Sequence, residues 1–165
     1  MSDTQFTETQ QFRSGGINFI YAFLLALIGL MLYGDYRQVF SGAASTHKSV
    51  PDGALIGLTL FLLVIVVLFY STKLVTIINT EGVFYRWGPF KSSLTKFAWA
   101  DIATAEVKKF DFPGWGVRYT GDGTMHNIKG NIGLHITLKS GDKLIFGTQK
   151  PDELTAALKQ YKAKA

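Results

Sequence analysis

The sequence predicts a two-helix transmembrane hairpin followed by a mainly β antiparallel barrel or sandwich capped by a C-terminal α-helix. Three observations carry this expectation. Two uncharged apolar runs fall within the first 71 of 165 residues, a series of short alternating segments separated by turn residues follows, and the chain closes on a stretch with helical spacing. The predicted organisation is an N-terminal tail over 1–15, a hairpin over 16–71 with spans at about 16–34 and 53–71, and a β domain over 72–165 whose closing helix occupies about 151–163.

The runs are GINFIYAFLLALIGLMLY from Gly16 to Tyr33 and ALIGLTLFLLVIVVLFY from Ala54 to Tyr70, neither with an ionised side chain. At 1.5 Å per residue, roughly 18 to 20 residues cover about 27 to 30 Å, enough for the hydrocarbon layer. Both runs are apolar all round, whereas an interfacial helix keeps one charged face. A cleaved signal peptide fits poorly: the first run follows a tail with Asp3, Glu8 and a single basic residue, Arg13, and a second run comes soon after. Two spans place both flanks on one side of the bilayer. The joining segment Gly34–Gly53 offers Arg37 and Lys48, while the other side offers Arg13, Lys73, Arg86 and Lys91. That bias predicts an integral protein of the inner or plasma membrane with the N-terminus and the β domain cytoplasmic. Small residues at Gly53 and Gly57, and at Ala22 and Ala26, have the spacing that permits close helix approach, within the hairpin or with a partner.

After Lys73 the period changes from all-apolar to alternating. KLVTIIN, VFYRW, LTKFAW, IATAEVKKF, VRYT, TMHNIK, LHITLK and LIFGTQ read as short strands, with turns at TEG, GPFKSS, DFPGWG, GDG, Gly130–Gly133 and SGDK. Seven or eight strands at this spacing fit a small antiparallel sandwich or barrel. The end differs. Pro151, Asp152 and Glu153 stand where a helix dipole favours them, and Lys159, Lys162 and Lys164 lie near the end. Leu154, Ala157, Leu158 and Tyr161 fall at i, i+3, i+4 and i+7, a face expected to plug one end of the barrel.

Three phrases carry a family resemblance: NTEGVFYRWG at the start of the domain, WADIATAEV in the middle, and GWGVRY…GNIGLHITLKSGDKLIFGTQKPDEL at the end. They resemble bacterial membrane-anchored proteins in which a pleckstrin-homology-like (PH-like) domain follows two transmembrane helices. In such domains a W-x-D-I phrase introduces the strand after the first meander, here Trp99-Ala100-Asp101-Ile102. A closing LxLxxGxxxxIGTxxPxEL pattern is approached within the run from Leu134 to Leu154, with Ile136 at its first Leu and Phe146 in place of the usual Ile. The layout is also similar to the photosystem I assembly protein family, through Glu81-Gly82-Val83 and Arg86-Trp87-Gly88. The resemblance covers about 95 C-terminal residues and implies a PH-like fold serving as a lipid, peptide or protein binder or a scaffold. PH-type lipid sites use basic residues on the loop between the first two strands. Here that loop is Asn79-Thr80-Glu81-Gly82, acidic rather than basic, a departure that speaks against specific phosphoinositide binding.

Charge is uneven. From Thr72 onward there are 14 Lys plus Arg against 8 Asp plus Glu, whereas residues 1–71 hold 3 against 4. A basic domain beside a bilayer is drawn to anionic headgroups, by about 1 kcal/mol per nearby cation. The candidate lipid- or partner-binding residues are Lys73, Arg86, Lys91, Lys96, Lys108, Lys109, Arg118 and Trp115; Trp87, Trp99 and Trp115 equally suit a core packed with aromatics, the structural reading preferred for all three. Without cysteine, disulfides, thiol nucleophiles and Cys-based metal sites are excluded. His47, His126 and His135 show no metal-ligand spacing, although His126 and His135 would face each other across a hairpin centred on Gly130. Asp101, Glu106 and Asp111 stand five apart and alternate faces, there is no GxSxG, and the glycines from Gly114 to Gly133 read as turn positions. No catalytic residue, metal or cofactor is therefore expected.

The function predicted is a non-enzymatic, membrane-anchored interaction or scaffold module, an assembly or accessory factor of a membrane complex. Its expected partners are the lipid bilayer, other membrane proteins and anionic headgroups, with no nucleic acid. The alternative is a membrane-bound enzyme acting at the lipid interface, with His126 and Asp101 as the residues to test. A transport role is disfavoured by spans without ionisable residues.

Overall fold

The computed structural model describes residues 6–39, 52–111 and 114–162. The chain divides into two compact units, Met1–Phe12 with Thr72–Ala165, and Arg13–Ser71.

The second unit is a pair of helices, α1 (Gly15–Val39) and α2 (Asp52–Ser71). Their apolar stretches, Gly16–Arg37 and Gly53–Ser71, are long and apolar enough to cross a membrane. The helices pack on each other through Tyr21, Ile28 and Val66, flanked by Ile17, Leu24 and Leu62. Tyr21 and Tyr70 meet edge to face at 5.7 Å, and the Arg13 guanidinium lies 4.0 Å from the Tyr70 ring centre. The small-residue pairs are not at this contact. A Cβ on Gly53 or Gly57 would meet nothing within 4 Å, and Ala22 and Ala26 are exposed. The first helix also continues past Gly34, where a connecting segment was expected, and so includes Asp35. The Thr59 hydroxyl donates to the Asp35 carboxylate at 3.1 Å, a tie between the helices that a hydropathy window does not register. Residues 40–51, including His47 and Lys48, lie outside the described residues.

The first unit is β-rich. Sheet A has the order β1 (Phe6–Gln11), β2 (Lys73–Asn79), β3 (Gly82–Gly88), β4 (Thr95–Ala98), all antiparallel. A 3₁₀ turn at Trp99–Asp101 leads into β5 (Ile102–Lys109). The remaining strands are β6 (Gly116–Thr120), β7 (Gly123–Asn127), β8 (Ile132–Leu138) and β9 (Lys143–Gly147); with β5 they form sheet B in the order β5-β8-β9-β7-β6. The expected barrel is not closed: the described strands fall into two separate sheets, and β7 pairs with β9 in parallel rather than antiparallel fashion. The parallel pair arises because β9, after its hairpin with β8, inserts between β8 and β7. That insertion separates His126 on β7 from His135 on β8, so the two histidines are not hairpin neighbours; their partners on β9 are Phe146 and Ile145.

Strand alternation sends Phe6, Ile78 and Val83 of sheet A to the same core as Ala105, Leu134, Ile136 and Phe146 of sheet B. Helix α3 (Pro151–Lys162) covers this core with Leu154, Ala157, Leu158 and Tyr161, all buried, the face its spacing predicts. Trp99 stacks on Tyr161 at 5.4 Å and donates its indole N–H to the Asn79 carbonyl at 2.9 Å, so the W-x-D-I phrase locks the helix to the sheet corner.

The segment 1–15 is not simply a tail, since Phe6–Gln11 is the edge strand of sheet A. Its inward side chains are Phe6, Glu8 and Gln10, and the two polar ones are buried. Glu8 accepts from the Thr148 hydroxyl at 2.6 Å and from the Gln149 N–H at 2.8 Å, and Gln10 donates to the Gly147 carbonyl. Sheet A is thereby stitched to the end of β9 by side chains rather than by a strand ladder. Glu8→Ala strands the buried Thr148 hydroxyl and removes the acceptor of the part-buried Gln149 N–H, and is expected to cost about 2 kcal/mol in chemical denaturation of the detergent-solubilised chain.

Candidate functional site

The predicted surface residues separate into two groups and one outlier. Lys73, Arg86 and Lys91 gather at one end of sheet A. Lys73 pairs with Gly88, and its stem lies against that glycine, 3.3 Å from where a Cβ would stand. Arg86 donates through Nη1 to the Ser92 carbonyl at 3.1 Å, and the Lys91 ammonium donates to the Thr95 hydroxyl at 2.7 Å. Lys96 is the outlier, held by Glu81 at 2.6 Å; this hydrogen-bonded ion pair lowers the Glu81 carboxyl below its usual range.

Lys108, Lys109, Arg118 and Trp115 belong to one end of sheet B. Lys109 ends β5, and the next residue, Phe110, donates its N–H to the Asn131 carbonyl at 2.9 Å. Asn131 in turn lines an open groove of about 710 Å³ with Gly114, Trp115, Arg118 and Gly130. Asn127 holds the groove together by donating to the carbonyls of Gly114 at 2.7 Å and Gly130 at 3.1 Å. The Arg118 guanidinium occupies the space over Gly114 that a Cβ would fill. Trp87 and Trp99 are half-buried and hydrogen-bonded within the β domain, whereas Trp115, also expected in the core, is 68% exposed.

Beside this groove lies a surface that the sequence reading did not single out. β6 is an edge strand, and its Val117 and Tyr119 pair with His126 and Thr124 on the core-facing side of sheet B. Sheet A does not reach far enough to cover them, so Val117 is half-exposed and Tyr119 is 89% exposed. A second open groove of about 530 Å³ follows, lined by Phe97 of β4 and by Tyr119, Thr124, Lys143 and Leu144 of sheet B. It marks the seam where a barrel would have closed. Alternation in VRYT is visible in the sequence, but it reads as core; only the extent of the opposite sheet shows that these positions lack cover.

His126 is 6% exposed. The Trp87 indole N–H donates to its Nδ1 at 2.8 Å, and its ring stacks on Phe146 at 5.2 Å and lies 4.8 Å from Tyr85. An Nδ1 that accepts belongs to a neutral imidazole with its proton on Nε2. Burial pushes this histidine down to about 4. Burial first, then Lys108, also lowers His135. His126 is thus a packed aromatic with its basic nitrogen occupied. Asp101 sits in the 3₁₀ turn, where its carbonyl accepts from the Lys139 N–H at 2.8 Å. Among the described residues no group of three His, Asp or Glu side chains is placed to hold a metal ion.

No curated protein and no solved structure matches the chain. A family model does, from residue 3 to residue 164, and so takes in both the β1 segment and the helix pair as well as the domain that follows. The chain belongs to the family of unknown function DUF6141.

Proposed function

We propose that the protein is a non-enzymatic, membrane-anchored docking module whose β domain binds an extended segment of a membrane-protein partner along β6. The observation that carries this reading is the pair of uncovered apolar residues Val117 and Tyr119 on an edge strand, with exposed Trp115 just before it and a groove at each end. An edge strand offers open backbone groups for strand addition, and the strip and grooves offer alternate side-chain pockets. Arg118, Lys108 and Lys109 beside the first groove favour a partner segment carrying acidic residues.

In this reading α1 and α2 are transmembrane spans. The domain is built from chain on both sides of the helix pair, because β1 precedes it and β2 follows it in the same sheet. Both flanks must therefore lie on one side of the bilayer, which an even number of spans allows, and the basic flanks favour the cytoplasmic side of the inner or plasma membrane. Short connections, one residue between Ser71 and Lys73 and three between Gln11 and Gly15, keep the domain beside the bilayer and raise its effective concentration toward membrane-bound partners. An assembly or accessory role in a membrane complex follows from such tethering. The PH-like resemblance is supported by the order of elements, a run of strands ending in a helix that covers the core; the β1 strand and the parallel β7–β9 pair are departures from it.

The test is affinity purification of the intact protein in mild detergent, side by side with a Trp115→Ala, Tyr119→Ala double variant. Both side chains are exposed, so the variant is expected to fold normally and to lose the co-purifying membrane protein. A partner retained at full occupancy by the folded variant would refute the assignment of β6.

A further inference from the structure

We infer that the β3–β4 loop, Pro89 to Leu94, is a second membrane contact, inserting Phe90 and Leu94 into the headgroup layer of an anionic bilayer. The inference rests on the reading of α1 and α2 as spans and goes beyond the partner surface on β6.

Gln11 pairs with Lys73, and Lys73 with Gly88. The last residue of β1, the first of β2 and the last of β3 therefore share one end of sheet A. This is the end from which the chain leaves for α1 and to which it returns from α2, through three residues and one residue respectively. Two residues beyond Gly88 stands Phe90, 69% exposed, and Leu94 is 44% exposed. The loop is not loose: the Lys91 N–H donates to the Trp87 carbonyl at 2.7 Å, and Arg86 holds the Ser92 carbonyl. An ordered loop that exposes a phenyl ring and a leucine to water next to the membrane connections has the chemistry of an interfacial anchor.

Charge agrees with that assignment. Lys73 and Arg86 share the outer face of sheet A, because Lys73 lies opposite Gly88 and Val75 opposite Arg86, and Lys91 follows Phe90 in the loop. No Asp or Glu occurs from Lys73 to Asn79 or from Gly82 to Thr95. Three cations with apolar stems around an apolar tip suit phosphate headgroups above acyl chains. The acidic turn at Asn79–Gly82 lies at the opposite end of β2, about 20 Å away at 3.3 Å per residue, so this end of the sheet and not that turn would meet lipid.

The chain has no cysteine, which allows a direct test. Phe90→Cys, Leu94→Cys and, as a reference, Thr80→Cys each carry one environment-sensitive fluorophore in the full-length protein. The labelled proteins are reconstituted in phosphatidylcholine–phosphatidylglycerol vesicles containing headgroup-attached nitroxide lipid. Labels at 90 and 94 are expected to be quenched several-fold more strongly than the label at 80, and the difference is expected to shrink in pure phosphatidylcholine. Equal quenching at all three positions, in protein that floats with the vesicles, overturns the inference and leaves the spans intact. A difference unchanged in pure phosphatidylcholine overturns the role given to the cations. Protein that does not float with the vesicles overturns the spanning reading and this inference with it.

Discussion

Alanine at Gly82 is expected to lower the stability of the β domain by about 4 kcal/mol. Gly82 ends the β2–β3 turn with a φ of +151°, a region that side chains rarely enter. A Cβ there would stand 2.1 Å from the Phe97 carbonyl oxygen and 2.9 Å from the Ala98 Cα, both backbone atoms of β4. Neither can swing aside as a flexible side chain would. Relief requires moving β4 off β3, which breaks the Gly82–Ala98 pairing, or reshaping the turn, which breaks the Asn79 Oδ1 bonds to the N–H groups of Glu81 and Gly82. Gly88→Ala, at the other end of the same strand, meets only the Lys73 stem and is expected to cost under about 1 kcal/mol. Urea denaturation of the detergent-solubilised chain, followed by near-UV circular dichroism, separates the two variants.

The second large effect is a pH dependence. With His126 held at about 4 in the fold and near 6.5 when unfolded, the native state refuses a proton that the unfolded chain accepts. The stability is fully present above pH 6.5 and declines as pH falls from about 6.5 to about 4, by about 3 kcal/mol in total if no other group intervened. Below about 4 this residue adds nothing further. The physical cause is burial in an aromatic cluster where Trp87 already occupies Nδ1, so protonation both charges a buried ring and turns an accepting nitrogen into a donor facing another donor. His126→Asn, which cannot titrate, is expected to be less stable at neutral pH and to flatten the melting temperature across that window. A slope unchanged by the substitution would place the pH dependence elsewhere.

Sequence periodicity made the helices and most of the strands visible, because their signals are local. The apolar runs need only their length, and α3 announces itself by Leu154, Ala157, Leu158 and Tyr161 at helical spacing, all of which are buried. β1 escaped notice for a physical reason: two of its three inward positions are Glu8 and Gln10, whose burial is tolerated only because Thr148, Gln149 and Gly147, some 140 residues away, supply partners. Alternation cannot show satisfaction that comes from so far along the chain. The insertion of β9 between β8 and β7 is equally non-local, and it undid the expected contact of His126 with His135. Of the candidate surface, the basic residues and Trp115 were legible as residue types. Their sorting into two sheet ends, and the exposure of Val117, Tyr119 and Phe90, depend on where each sheet stops.

The role proposed for the β domain requires the helix pair to reside in a bilayer. Membranes carrying the intact chain, washed in alkaline carbonate and sedimented by ultracentrifugation, test this without labels or variants. The expected result is that the protein stays in the pellet until detergent releases it. Recovery of the folded chain in the carbonate supernatant would contradict the anchor, and with it the proposed work of the β domain beside the membrane.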